Sequence, residues 1–202
     1  IETLLEGAID DKENARSFLD IIKRQTSRLN AIIEDLLSLS RIEQEEEKKQ
    51  IEKQRTPLQL LLESAALYCR QNAAAKNISL EVFCEKGLVV DVNANLLEQA
   101  VANLIDNAVK YSTEGCFVYV RGYNENNNAV IEVEDNGPGI SSEHHDRIFE
   151  RFYRVDKARS RKVGGTGLGL AIVKHIAQAH GGTVSIKSEP GKGSRFFIKL
   201  RS

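Results

Sequence analysis

The chain has 202 residues, with 28 Lys+Arg against 29 Asp+Glu and a net charge of −1, which leaves no basic excess for general nucleic-acid binding. Hydrophobic residues are 41% of the total and 14 glycines accompany them, a globular composition long enough to bury a core without disulfide staples. Cys69, Cys84 and Cys116 are too few and too widely spaced for a disulfide framework or a CxxC metal or redox site, and read as small buried hydrophobes in a reducing compartment.

No stretch approaches the ~18 consecutive apolar residues of a membrane span, and the start has no signal-peptide pattern. The sequence contains no Met, the initiator included, so it is expected to be a piece of a longer chain. Ile1–Ile9 reads as the tail of a preceding helix, turning through Asp10 and Asp11 into a long one. In the long helix Phe18, Ile22, Leu29, Ile32, Leu36 and Leu39 recur at spacings of three and four, with Gln25 as a polar interruption. Ile21, Ile33 and Leu37 widen the stripe beyond a two-stranded seam, which suits a four-helix bundle. RIEQEEEKKQIEKQR, residues 41–55, reads as a solvated helical extension, supported by the Glu45–Lys49 spacing. Pro57 marks a boundary.

Beyond Pro57 the pattern alternates. Leu58–Lys76 is expected to be a helix, ISLEVF and LVVDV short strands, and Asn95–Tyr111 a second helix. CFVYVRGY and AVIEVED are strands joined by the turn NENNN. A helix from about Gly167 to His180 and two strands, TVSIKSE and SRFFIKL, close the chain. Helices and strands mix without regular βαβ alternation, so the expected architecture is α+β, a layered sandwich with a mixed sheet. Residues 1–55 are expected to form one helical unit with its linker and residues 56–202 a second domain.

Four clusters carry chemistry. NLIDNAVKY puts Asn103, Asn107 and Lys110 on one helix face, where carboxamide oxygens suit a hydrated Mg²⁺ and an ammonium suits phosphate; taken alone it also fits a solvated face. EDNGPGI sets Asp135 at a strand end, able to accept from an adenine amine, with Gly137 and Gly139 allowing close approach of a ring; alone it fits a simple turn. IFERFYRVD offers Arg154 to a phosphate, while Phe149 and Phe152 read as core anchors for a loop. GGTGLGLAIVKHI opens a helix at Gly165, Gly167 and Gly169, where exposed N–H groups form an anion site. The run is neither a P-loop nor the dinucleotide G-x-G-x-x-G. HRD and DFG triplets are also absent.

In this order and spacing, NLIDNAVKYS, DNGPGI, IFERFYRVD and GGTGLGLAIVKHI resemble the N, first glycine, F and second glycine boxes of bacterial two-component sensor histidine kinases. The resemblance runs from about Pro57 to Leu200. The upstream helix ending LLSLSRIEQ resembles the family's dimerisation and phosphotransfer hairpin, most like the phosphate-sensing branch. It implies part of that hairpin followed by a Bergerat-type ATP-binding α/β sandwich, acting as a homodimer on a response regulator, with ATP and Mg²⁺ as cofactors. It also implies a cytoplasmic portion whose membrane attachment would come from segments upstream. Carried over residue by residue, Asn107 would hold Mg²⁺, Asn103 and Lys110 would lie by the phosphates, and Tyr111 would flank the nucleotide. Asp135 would read adenine, with Gly137, Gly139 and Ile140 shaping the pocket. Gly165, Thr166, Gly167, Leu168 and Gly169 would wrap the phosphates, and Ser194 would reach Asp135 or adenine through water. Residues 141–164, with Arg154, would form a mobile lid.

One departure is large. The phosphoacceptor His of the family's H box does not occur in residues 1–55. Gln54-Arg55-Thr56-Pro57-Leu58 mimics the tail of that box but reads as a decoy. His144, His145, His175 and His180 read as surface or packing residues. Gyrase- and chaperone-type ATPases of the same superfamily are the nearest rival; their water-activating Glu would stand where this chain has Asn103, and an amide is no general base. A non-enzymatic ATP-sensing dimer module is a second rival and an anti-sigma-factor Ser kinase a third.

Overall fold

The computed structural model describes residues 12–48, 51–156 and 165–201. The expected helix tail at Ile1–Ile9 and residues 157–164 of the expected lid lie outside them. Helix α1 (Lys12–Lys48) is followed by β1 (Gln54–Pro57), α2 (Leu58–Ala75), β2 (Ser79–Cys84), β3 (Val89–Val92) and α3 (Ala94–Tyr111). Strands β4 (Phe117–Glu125) and β5 (Asn128–Asp135), helix α4 (Gly169–Ala179) and strands β6 (Thr183–Glu189) and β7 (Gly193–Arg201) complete it.

The main sheet has the order β2-β4-β5-β7-β6, with β2 and β4 parallel and the other neighbours antiparallel. The expected mixed sheet is therefore present. Asn126 and Asn127, at φ 50° and 63°, make the β4–β5 hairpin turn, since Asn tolerates the left-handed region that a right-twisted two-residue turn requires. Helices α2, α3 and α4 cover one face of the sheet. On α3, Leu97, Val101, Leu104, Ile105 and Ala108 face inward, and Asn93 caps the helix by accepting from the Leu96 N–H at 3.1 Å. Cys69 and Cys116 are buried, Cys84 partly so, and all three are free thiols.

Two expectations about the linker region change. The helical extension does not run to Arg55, because Gln54–Pro57 pairs antiparallel with β3, from Gln54↔Val92 to Pro57↔Val89. Pairing two short strands satisfies backbone groups that a purely charged helix end would leave to water. The Gln54–Leu58 decoy is thus part of the α/β unit. The apolar stripe of α1 is also divided. Leu39 and Ile42 are fully buried in the common core, where α1 packs on α4, while Leu29, Ile33, Leu36 and Leu37 stay exposed.

Candidate nucleotide site

A pocket opens at the end of β5, between α3, the turn before α4 and the wall of α1, with a volume of about 350 Å³. It brings together Asp135, Asn103, Asn107, Lys110 and Tyr111, along with Gly139, Ile140 and Arg154 and the turn Gly165–Gly167 with Gly169. Residues far apart in sequence meet because β5 ends beside the C-terminal half of α3 and α4 packs across it.

Asp135 is the buried carboxylate of the pocket lining, 8% exposed. The Gly137 N–H donates to its Oδ1 at 2.8 Å, and a backbone N–H of Ser194 also serves the carboxylate. Burial nevertheless raises its pKa to about 6, against the lowering effect of those two bonds, with the Glu134 charge adding to the rise. A Cβ at Gly137 would lie 2.8 Å from Asp135 Oδ1, so only glycine lets this turn fold back on the carboxylate. Ser194 reaches Asp135 directly through its backbone; its hydroxyl shares a 2.9 Å bond with Ser188.

At the other end, α4 begins at Gly169 and no side chain caps its start. Its first N–H groups lack a side-chain cap, and Gly169 and Leu170 line the pocket, which makes this helix start a candidate anion site. Gly169 sits closely over α3: a Cβ there would be 3.9 Å from both Asn103 Cγ and Asn107 Nδ2. The Asn103 amide donates to the Gly169 carbonyl at a long 3.5 Å. Lys110 forms a 2.6 Å ion pair with Asp106, and the Arg154 guanidinium donates to the Gly165 carbonyl.

Three expected roles are corrected. Leu168 is fully buried and its N–H goes to Thr166 Oγ1 at 3.2 Å, so it plugs the core beneath the turn. Gly139 serves the backbone: at φ 69°, a Cβ would come within 1.9 Å of the Glu189 carbonyl oxygen in the β6–β7 turn. Phe152 is no core anchor. It is 55% exposed with φ 61°, and its contribution is a backbone one: its N–H donates to the Gly167 carbonyl at 2.8 Å. Phe149 does anchor, edge-on to Phe196 at 6.4 Å.

The histidines pack as expected. His144 bonds the Tyr153 hydroxyl at 2.8 Å and His145 the Ile140 carbonyl at 3.1 Å, while His175 lies 3.3 Å from Glu43 of α1. His180 is buried, its Nε2 accepting from the Asn93 N–H.

Two residues of α1, Ala31 and Asp35, also line the pocket, and neither stands out in the sequence. Asp35 stands one turn before Leu39 and two before Ile42, which marks the face it shares but not what lies opposite. Among the described residues no cluster of three His, Cys, Asp or Glu forms a metal cage. The Asn107 carboxamide with the neighbouring Asp106 and Asp35 carboxylates is instead an oxygen set that fits a Mg²⁺ ion keeping its waters and held jointly with phosphates.

Residues 92–202 match the profile of the Histidine kinase-, DNA gyrase B-, and HSP90-like ATPases, and residues 1–45 that of the His Kinase A (phospho-acceptor) domain. The chain is 39% identical over 201 residues to the Sensor-like histidine kinase SenX3 of Mycobacterium tuberculosis, covering 98% of this chain and 48% of that protein. It thus spans between about a third and a half of the length of the curated relatives it matches. The crystal structure of full-length ShkA in complex with AMPPNP superimposes with a TM-score of 0.76 at 26% identity, over 92% of this chain and 38% of that one. Histidine kinase ThkA, solved in complex with the response regulator protein TrrA, shares the fold at a TM-score of 0.74 and 21% identity, over 96% of this chain and 53% of that one.

Proposed function

Because this chain belongs to the sensor histidine kinases, within the histidine kinase-, DNA gyrase B- and HSP90-like ATPase family, we propose that it binds Mg-ATP and transfers the γ-phosphoryl group to a hairpin His, for relay to a response-regulator Asp. The observation that carries this reading is the buried Asp135 carboxylate. Two backbone N–H groups hold it at one end of a pocket whose other end is an uncapped helix start. One end suits an exocyclic amine and the other a polyphosphate.

Asp135 accepts from the adenine amine, and Gly137 and Ser194 fix its orientation. Tyr111 and Ile140 bound the base. Gly165, Thr166, Gly167 and Gly169 present backbone to the phosphates over the plug Leu168, with Arg154 fastened to the same turn. Asn107 holds the metal, with Asn103 and Lys110 beside it. When bound, Mg²⁺ neutralises phosphate charge and orients the γ-group. In the transfer, the bond from the γ-phosphorus to the bridging oxygen breaks and ADP leaves. A bond to the imidazole nitrogen forms, and the imidazole proton passes to a nearby carboxylate or to water. Residues 1–55 hold no His, so the acceptor is supplied by hairpin sequence outside these 202 residues. In this reading residues 1–55 belong to the phosphotransfer unit and 56–202 to the nucleotide-binding unit, with β1 straddling the division. The portion acts on the cytoplasmic side of a membrane-held dimer; among the described residues no helix is long and apolar enough to cross a membrane.

The rival is hydrolysis. Asn103, one turn before Asn107 and bonded to the Gly169 carbonyl, has no basic atom to activate water, which favours transfer to a protein group. The test is incubation with γ-labelled ATP, alone and with a separately supplied hairpin that carries the His. We expect no acid-labile label on this chain alone and label on the added hairpin. ATP binding without any labelled hairpin would favour a non-enzymatic sensing module.

A further inference from the structure

Four carboxylates, Asp35, Asp106, Asp135 and Asp156, line the pocket against two cations, Lys110 and Arg154, among the described residues. Both cations already have partners: Lys110 is paired with Asp106 at 2.6 Å, and Arg154 is bonded to the Gly165 carbonyl. Among the described side chains lining the pocket, carboxylates thus outnumber cations.

Asp35 is the one carboxylate that comes from α1, and it is held in place. Thr166 Oγ1 accepts from the Leu168 N–H at 3.2 Å, leaving its hydroxyl hydrogen for the Asp35 carboxylate to which it is bonded. One turn later, Ser38 Oγ accepts from the Gln99 amide of α3 at 2.9 Å. Leu39 and Ile42 are buried, and Glu43 pairs with Arg151 and His175. The carboxylate is thereby set on the glycine turn where the phosphates are proposed to lie.

We propose that Asp35 makes the site selective for metal-complexed nucleotide, by placing a fixed negative charge from the phosphotransfer helix against the phosphate end of the pocket. It rests on the nucleotide reading above. The free tail carries several charges and meets Asp35, whereas a divalent cation lowers the tail's charge and gives the carboxylate an attractive neighbour. Asp35→Asn keeps the shape and an oxygen acceptor for Thr166 while removing the charge.

The test uses the full 202-residue chain. Dissociation constants are measured by calorimetry for ATP with excess EDTA, ATP with Mg²⁺, and adenosine. In Asp35→Asn, affinity for metal-free ATP should rise roughly tenfold, the size expected for removing one charge several ångströms from a multiply charged tail. Adenosine, which lacks phosphates, should bind as before, and Asp35→Glu should keep the wild-type ratio between the EDTA and Mg²⁺ constants. An unchanged ratio in Asp35→Asn overturns the proposal. So does an equal gain for adenosine, which would mean the pocket has merely opened, or a loss of Mg-ATP affinity without a gain for free ATP. If neither ATP nor adenosine binds the wild-type chain, the nucleotide reading itself fails and takes this inference with it.

Discussion

Asp135 and His180 are both buried titratable groups, and burial moves them in opposite directions because their charged forms differ in sign. With its carboxyl raised to about 6, Asp135 loses its charged acceptor as pH falls through that value. Adenosine affinity should therefore be flat above neutrality and decline below about pH 6; adenosine has no phosphate to titrate, so calorimetry across pH isolates the side chain. Asp135→Asn should lower ATP affinity at least roughly tenfold, since losing a hydrogen bond to a charged acceptor costs about 1.5–3 kcal/mol. Unchanged affinity would remove Asp135 from the adenine end. His180 must be neutral in the fold. The Asn93 N–H can only donate, so Nε2 accepts at 2.9 Å and Nδ1 carries the proton to the Ile176 carbonyl at 2.7 Å. Burial, aided by Lys53, lowers its pKa from 6.5, so its contribution is present above that value and is lost as pH falls through the depressed one. Urea unfolding should show acid destabilisation below pH 6.5 that is smaller in His180→Gln; identical slopes would exclude His180 as the cause.

Among the elements, the stretch from Ser141 to Asp156 has little regular secondary structure. Ile148 is buried, Phe149 and Tyr153 pack against the core, and polar fastenings add to these: His144 to Tyr153, His145 to the Ile140 carbonyl, and the Phe152 N–H to the Gly167 carbonyl. All three end on residues that line the candidate pocket. Phosphates bound there should therefore tighten the stretch, and amide hydrogen exchange across 141–156 should slow with a nonhydrolysable ATP analogue. Equal protection with and without ligand would rule out coupling of this stretch to the site. Helix α1 adds apolar burial at Leu39 and Ile42 to its polar ties. Leu39→Ala or Ile42→Ala should each cost about 2–5 kcal/mol if the α1–α4 seam unfolds with the domain.

In the molecule as a whole, one side of α1 is covered and the other is not. Leu29, Ile33, Leu36 and Leu37 are 59%, 54%, 39% and 54% exposed, too many large apolar groups on one helix to leave in water. A second hairpin is the natural cover, in line with the His Kinase A match over residues 1–45. With the hairpin extended upstream, sedimentation should give a dimer, and Ile33→Glu with Leu37→Glu should give a monomer that still binds ATP. A clean monomer before substitution would refute pairing through this stripe.

Local chemistry is legible in the residues themselves. The alternation of β4 and β5, the inward stripe of α3, the turn at Asn126 and Asn127, and the spacing of Asn103, Asn107 and Lys110 all follow from periodicity and backbone preference. The glycines and the strand-end Asp that line the pocket stand out too, because they lie in short runs whose geometry is set by near neighbours. The absence of a His from residues 1–55 is likewise plain. Long-range partners are not legible. Gln54–Pro57 is charged and short, and becomes a strand because β3, more than thirty residues away, offers a ladder. Gly139 looks like a residue cleared for a ring until the Glu189 carbonyl is seen to fill that space. Asp35 looks like any polar position on an amphipathic helix, since periodicity gives the face of a helix but not what faces it. Its role follows from the docking of α1 on α4, a contact between residues more than a hundred positions apart that side-chain packing settles.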